Sequence, residues 1–425
     1  MIIKPMIRNN ICLNSHPKGC AAVVRGEIAC AARNLAPHAG SPRLVLVVGC
    51  STGYGLASRI AAAFGYGAAT VGVSLEKPAS KTKTGTPGWY NNRVFDAEAA
   101  GAQVPAKTLD GDAFSPGMKA AAAAAVRETA AAAGIPPQLD LLVYSLASPV
   151  RTDPQSGVMY KSVIKPIGEA YRGTTLDMLT GKLAAAGAEP AGEEEIAATV
   201  KVMGGEDWEL WIGALEKDGL LSPSFRTVAY TYLGPELSWP IYRNGTIGRA
   251  KEDLERAAGV INAPARRAWV SVNKAVVTRS SAVIPVIPLY VSCLFKVMKE
   301  KGLHEGCIEQ IVRLYRDRLY APGGVRDPDA VPVDGEGRIR LDDWEMREDV
   351  QQETLACMES VTEGNVFTAT DIRGFRQDFL EAHGFAVPGV DYDRDEDPFD
   401  CGCANTGAFC RQNGTSGEGE ARYER

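Results

Sequence analysis

Tyr242 and Lys251 are the residues here with the clearest capacity for chemistry. A phenol beside an ammonium group can donate to an oxygen that gains negative charge, because the cation favours the phenolate and lowers its pKa. Such an oxygen arises when hydride adds to a double bond conjugated with a carbonyl. The pair lies in Trp239-Pro240-Ile241-Tyr242-Arg243-Asn244-Gly245-Thr246-Ile247-Gly248-Arg249-Ala250-Lys251, nine positions apart. On one regular helix that separation puts the two on opposite faces. They converge only if Tyr242 stands ahead of the helix that carries Lys251. Gly245, Thr246 and Gly248 supply such a break, with Thr246 as the expected N-cap. On these residues alone, a surface turn followed by a solvated lysine is the commoner outcome.

The elements that must position the pair are legible upstream. An apolar run at 44–48 leads into Gly49-Cys50-Ser51-Thr52-Gly53-Tyr54-Gly55. That order predicts a buried parallel strand, a tight glycine turn, and a helix from about Leu56. Its first N–H groups would face a pyrophosphate. The G-x-x-x-G-x-G spacing is that of short-chain reductases rather than the G-x-G-x-x-G fingerprint. Taken by itself it also suits a plain strand-to-helix turn. A second strand, 70–75, ends at Glu76, where an acid can accept hydrogen bonds from ribose hydroxyls and favour NAD over NADP. Lys77, Lys81 and Lys83 follow and could tolerate a 2′-phosphate.

Further on, the reading is a strand near 102–109, an Ala-rich helix over 117–133 and a strand over 139–145. Asp110-Gly111-Asp112-Ala113 closes one strand and Tyr144-Ser145-Leu146-Ala147-Ser148 the other. Both sit where open α/β sheets bind ligands, although loop capping explains them equally well. The alternation implies an α/β fold, an enlarged Rossmann parallel sheet with helices on both faces. Residues 1–43 read as an N-terminal appendage of strand and helix, 180–195 as a surface excursion, and 272–277 as a further strand. The Rossmann core is expected over about 44–300 within one domain, 1–398. The polar segment 399–425 is expected to be a disordered tail.

Composition narrows the function. Net charge is −6 with no basic stripe, so no nucleic-acid partner is expected. The longest apolar run in the C-terminal half, 282–295, is too short to span a bilayer and contains Pro285 and Pro288. The N-terminus lacks a signal-peptide core, so the expectation is a cytoplasmic protein, or an organellar one if a targeting segment was removed. Seven of ten cysteines are scattered (Cys12, Cys20, Cys30, Cys50, Cys293, Cys307, Cys357) and read as small buried hydrophobes. Cys401, Cys403 and Cys410 do not match a zinc pattern, and no metal is expected. There is no H-E-x-x-H and no G-x-x-x-x-G-K-[ST]; His304-Glu305 lacks a second histidine.

Longer motifs add a family. Residues 49–56, Gly88-Trp89-Tyr90-Asn91, 201–211, 230–236 and the Tyr242-x8-Lys251 spacing together resemble the trans-2-enoyl-CoA reductase family, which includes the V-type bacterial enoyl-ACP reductases. The likeness continues through 273–278, 304–310, Asp343-Trp344-Glu345 and 389–393, covering roughly 1–398. The resemblance implies a monomer that reduces the 2,3-double bond of an acyl thioester with NADH, NADPH being less favoured. It implies Tyr242 as proton donor, Lys251 as the residue that holds the cofactor ribose and supports Tyr242, and Tyr232 at the substrate thioester. It implies that Gly49, Cys50, Ser51, Thr52, Gly53, Tyr54, Leu75, Glu76, Asp112, Ala113, Leu146, Ala147, Val276, Val277 and Thr278 line the cofactor. The stretch 280–295 would help shape an acyl pocket, with an ordinary core helix the alternative.

Two departures stand out: Leu75 where the family suggests Phe, and Arg279 where Gln is common. The tail from Phe399 has no counterpart in the resemblance. Coenzyme A is the expected carrier, with acyl carrier protein the alternative. A carbonyl reductase of the short-chain type is disfavoured, because its Tyr and Lys lie one helical turn apart. A non-catalytic NAD-binding sensor would need the glycine turn but not Tyr242 with Lys251.

Overall fold

The computed structural model describes residues 1–8, 11–264, 266–278, 284, 286–321 and 331–403. Leu44-Val45-Leu46-Val47-Val48 is apolar throughout because both faces of its strand are covered. Val45 and Val47 enter one core with helices Pro17–Asn34, Gly53–Ile60, Pro87–Gly101 and Cys307–Leu314. Leu44, Leu46 and Val48 enter another with Pro116–Ala133, Glu206–Lys217 and Thr246–Ile261.

The strands of this sheet are β1 (Leu44–Val48), β2 (Ala69–Ser74), β3 (Ala106–Asp110), β4 (Leu139–Tyr144), β5 (Leu221–Thr231), β6 (Arg266–Val272) and β7 (Ile339–Arg340). Their order is β3-β2-β1-β4-β5-β6-β7, and every pairing is parallel. The order reverses between β1 and β4, which is the switch point where a doubly wound sheet opens a crevice at its carboxyl ends. The fold is therefore the expected α/β Rossmann sheet.

Several boundaries differ from the sequence reading. The glycine-turn helix begins at Gly53, not Leu56. The third strand begins at Ala106, because helix Pro87–Gly101 runs up to its approach. The segment 180–195 is not a bare excursion: Leu183–Ala188 pairs antiparallel with Tyr171–Leu176, and helix Glu193–Met203 follows. The expected strand over 272–277 is instead β6, which ends at Val272. There Leu341 N–H and Asp342 N–H both donate to the Val272 carbonyl; Asn273 N–H still donates to Thr231 O, and the amides of Lys274 and Ala275 turn to the side chains of Gln310 and Glu345. Of the expected tail, residues 399–403 dock on the body, with Cys401 buried; 404–425 lie outside the described residues.

One buried ion pair ties two rim loops to the helical layer. Lys119 Nζ donates to Asp207 Oδ1 at 2.7 Å and to the carbonyls of Ala113 and Phe114 at 3.2 and 3.1 Å. Asp207 Oδ2 accepts the Tyr144 hydroxyl at 3.1 Å. Removing one partner leaves the other charge buried and uncompensated, a loss of about 3–5 kcal/mol. Lys119→Met is expected to lower the urea midpoint accordingly with an unchanged m-value, read by equilibrium unfolding.

Candidate active site

Because the strands run parallel, their carboxyl ends share one rim. Gly49–Tyr54 follow β1, Leu75 and Glu76 follow β2, and Asp112 and Ala113 follow β3. Leu146 and Ala147 follow β4, Tyr232 follows β5, and Val276–Thr278 follow β6. The topology thus gathers every rim residue that the motifs singled out.

The glycine turn is held by close backbone approach. Gly49 has φ +89, and its N–H donates to Val73 O at 2.8 Å. A Cβ on Gly49 would stand 2.3 Å from Ser145 O, and one on Gly55 1.9 Å from Gly49 O. Gly53, at φ +55, differs: a Cβ there would meet nothing within 4 Å. Thr52 is the extended N-cap of the helix and makes no side-chain cap. The open space and the uncapped helix start fit a dinucleotide pyrophosphate.

The other cofactor candidates divide by how they face the rim. Glu76 is held ready by its neighbours: Ser51 Oγ donates to Oε1 at 2.6 Å, and the Thr86 hydroxyl donates to Oε2. Its own N–H donates to Asp110 Oδ1 at 2.9 Å. Leu75 is 71% exposed beside it, an apolar face free to meet a ligand ring. Asp112 makes a turn by accepting from Phe114 N–H at 3.0 Å. Cys50 does not face the rim; its side chain is buried beneath the turn, 3.7 Å from Asn92 Oδ1, and burial pushes its thiol pKa up. Tyr54 points across to the β6 segment, its hydroxyl 2.9 Å from Lys274 O and 3.1 Å from Gln310 Oε1. Of Cys50, therefore, only the backbone faces the turn.

Tyr242 stands in a turn ahead of helix Thr246–Ile261, and Lys251 lies within that helix. Gly248 makes the break possible: its N–H donates to Tyr242 O at 3.0 Å, and a Cβ on it would sit 1.6 Å from Arg243 O. The N-cap, however, is Gly245. Thr246 is the first helical residue, and its hydroxyl donates to Val163 O at 2.6 Å and accepts from Lys165 N–H at 3.2 Å. Thr246 therefore anchors the segment before it instead of capping its own helix. Lys251 Nζ donates to Tyr230 O at 3.0 Å, near the end of β5. The Tyr242 ring meets the Tyr232 ring edge-on, with centroids 5.3 Å apart at 75°. Both candidates thus engage the same strand end.

Their electrostatics differ from expectation in one respect. Burial pushes the Tyr242 phenol up to about 12, with no lowering from Lys251 in the ligand-free protein. Tyr242 is thus an un-ionised donor at neutral pH. Burial lowers Lys251 to about 8. Among the described residues, none hydrogen-bonds the Tyr242 hydroxyl.

A cavity of about 870 Å³ lies beside this turn, lined in part by Leu237, Pro240, Asn244, Val286 and Leu289, with Tyr171 and Met358 opposite. Neither Tyr242 nor the glycine turn is among its walls, which include the Tyr242 neighbours Pro240 and Asn244. Two of its walls come from the stretch expected to shape an acyl pocket; 279–283 and 285, with Arg279, lie outside the described residues. Single-residue reading missed Thr86, which has no motif signature, and gave no role to Glu345, which lay within a quoted motif. No group of His, Cys, Asp or Glu suited to a metal occurs among the described residues. Nor is any described helix long and apolar enough to cross a membrane.

Fold and rim define a Rossmann-type oxidoreductase with a nicotinamide-dinucleotide site. Family models for the NAD(P)H binding domain of trans-2-enoyl-CoA reductase and the trans-2-enoyl-CoA reductase catalytic region match residues 2–81 and 83–320. The trans-2-enoyl-CoA reductase [NADH] of Treponema denticola is 57% identical over 406 residues, 94% of this chain and 100% of that protein. The enoyl-[acyl-carrier-protein] reductase [NADH] of Edwardsiella ictaluri is 50% identical over 94% of this chain and 98% of its own length. The crystal structure of the Treponema enzyme in complex with NAD superposes with a TM-score of 0.88 at 56% identity, covering 94% and 99% of the two chains. The chain belongs to the trans-2-enoyl-CoA reductase family.

A third model, the enoyl reductase FAD binding domain, matches 333–395. The residues present do not fit a flavin dinucleotide cradle. Among the described residues of that segment, the one strand is the two-residue β7, and no glycine turn joins it to a helix. Val350, Phe375, Phe379 and Leu380 are instead buried in one apolar core with helix Ile287–Glu300.

The two glycines separate fold from binding. Gly49→Ala is expected to lower the melting temperature, since a left-handed φ costs about 1–2 kcal/mol before any clash. Gly53→Ala meets no protein atom, so its melting temperature is expected to fall less while NADH affinity drops more. Thermal unfolding and NADH fluorescence titration check the pair.

Proposed function

We propose that this chain catalyses NADH-dependent reduction of the 2,3-double bond of trans-2-enoyl-CoA thioesters, acting as a cytoplasmic monomer. The observation that carries the reading is the placement of Tyr242 and Lys251 at the carboxyl end of β5, on the rim that holds the glycine turn. Bound NADH supplies the hydride to the β-carbon. Charge then develops on the thioester oxygen, where the un-ionised Tyr242 donates. Lys251, still mostly charged at pH 7, keeps N–H groups beyond the one on Tyr230 O for the ribose and Tyr242. The α-carbon takes its proton from solvent or through Tyr242. Glu76, fixed by Ser51 and Thr86, receives the adenosine ribose hydroxyls and disfavours a 2′-phosphate. The 870 Å³ cavity takes the acyl chain.

Coenzyme A is favoured as carrier because the Treponema relative, named for it, is the more similar at 57% against 50%. The second reading, acyl carrier protein, rests on relatives at about that lower identity. NADH oxidation with crotonyl-CoA, run beside crotonyl-acyl carrier protein, separates them. Turnover on the protein carrier alone moves the enzyme to fatty-acid synthesis; turnover on neither removes the catalytic reading. Light scattering after gel filtration tests the monomer.

Loss of a donor at an oxyanion costs roughly 2.7–4 kcal/mol, or about 100- to 1000-fold in rate. Tyr242→Phe and Lys251→Met are each expected to lose at least that in kcat/KM, and near wild-type rates in a folded Tyr242→Phe protein would remove its assignment. Lys251 is charged below its pKa, so kcat/KM is expected to fall as pH rises through about 8. Lys251→Arg, which stays charged, should lose that alkaline limb in a pH–rate profile.

A further inference from the structure

Glu345 has no part in the steps above, yet it lies against their machinery. Its side chain is 0% exposed, and its oxygens accept three hydrogen bonds. The hydroxyls of Tyr232 and Tyr290 reach Oε1 at 3.0 and 2.6 Å, and Ala275 N–H reaches Oε2 at 2.7 Å. Each donor comes from a different element: Tyr232 follows β5, Ala275 follows β6, and Tyr290 lies on helix Ile287–Glu300. Gln351 Nε2 completes the cluster, donating to the Tyr290 hydroxyl at 3.1 Å and to Glu345 O at 2.7 Å. Burial pushes the Glu345 carboxyl up, while its hydrogen-bond donors and Lys274, 1% exposed, favour the ionised form and Asp342 opposes it. A carboxylate so deep persists only where donors replace its water.

We propose that Glu345 is a positioning residue for the reduction, holding the Tyr232 hydroxyl and so fixing the Tyr232 ring against Tyr242. This rests on the enoyl-thioester reading. A phenol has one hydrogen, and that of Tyr232 is spent on Glu345. Tyr232 then acts at the substrate as a fixed wall, packed edge-on against Tyr242 at 5.3 Å. Tyr242 keeps its hydrogen for the thioester oxygen. The same carboxylate grips Ala275, one residue before Val276 in the cofactor-lining segment. The segment matched to a flavin-binding model thus contributes an anchor for the reductase site.

The test is a double-mutant cycle of Glu345→Gln with Tyr232→Phe. In Glu345→Gln the one acceptor oxygen can stay on Ala275 N–H, while the NH2 then faces the two tyrosine hydroxyls and cannot accept from them. Glu345→Gln is expected to lower kcat for crotonyl-CoA by at least about tenfold while NADH Kd stays within about twofold. In the Tyr232→Phe background the same substitution should change kcat by less than about twofold. Equal losses in both backgrounds, or a parallel rise in NADH Kd, would overturn the proposal. Glu345→Asp, which keeps the charge but shortens its reach, runs the same cycle should the amide variant not fold.

A second readout needs no turnover. In protein labelled at the tyrosine ring carbon, the Tyr232 signal is identified by its loss in Tyr232→Phe. Loss of the Glu345 acceptor should move the Tyr232 ring-carbon signal in Glu345→Gln at neutral pH; an unchanged signal would overturn the proposal. Absence of wild-type turnover on either carrier would count against the enoyl reading alone, and the Tyr232 signal would still decide whether Glu345 holds that ring.

Discussion

The rim depends on how closely three backbone segments pass one another. Gly49 lies between β2, whose Val73 carbonyl takes its N–H, and the Ser145 carbonyl after β4. Gly55, six residues on, packs against the Gly49 carbonyl with no room for a side chain. These contacts set where the first helix starts and hence where its uncapped N–H groups point. Gly248 repeats the device on the other side of the crevice, where the Tyr242–Arg243 turn presses on the first turn of its helix. The glycine turn and the Tyr242 turn are thus both fixed by missing side chains.

Desolvation then assigns the chemical states. Burial raises the Tyr242 phenol to about 12 and lowers the Lys251 ammonium to about 8, so two groups that titrate close together in water are driven apart. A donor that stays protonated until charge appears beside it can stabilise an enolate without first losing its hydrogen. An ion pair would have frozen Lys251; its contact with the Tyr230 carbonyl leaves it charged and available. Where full charges are buried elsewhere, as in Lys119 with Asp207, they come with partners on several elements.

Much of this was legible in the sequence because local periodicity and spacing carry it. The apolar run into Gly49 marks β1 to the residue, and the nine-residue gap from Tyr242 to Lys251 requires a break that Gly248 supplies. What was not legible depends on tertiary partners. Thr246 looks like an N-cap, but the Val163 and Lys165 backbones claim its hydroxyl. Residues 272–277 look like a strand by β-branched composition, yet β6 stops at Val272 once the chain after β7 saturates its carbonyl. The phenol pKa was misread because proximity to a cation is visible in spacing and burial is not.

The C-terminal part explains why the domain outgrows a plain Rossmann sheet. A parallel sheet leaves its carboxyl rim open to water, which competes for every donor placed there. Here residues after β7 fold back over that rim: Glu345 reaches into the site, and helix Ile372–Glu381 buries Phe375 and Phe379 behind it. The chain then continues to the opposite layer. There the Pro398 carbonyl accepts the Tyr90 hydroxyl at 2.6 Å, Asp400 pairs with Lys18 at 2.6 Å, and Arg25 holds the Gly402 carbonyl at 3.0 Å. One segment thus braces the Tyr232–Tyr242 pair from behind and fastens the helices beneath the glycine turn, so the two sides of the crevice share a support distant in sequence from both.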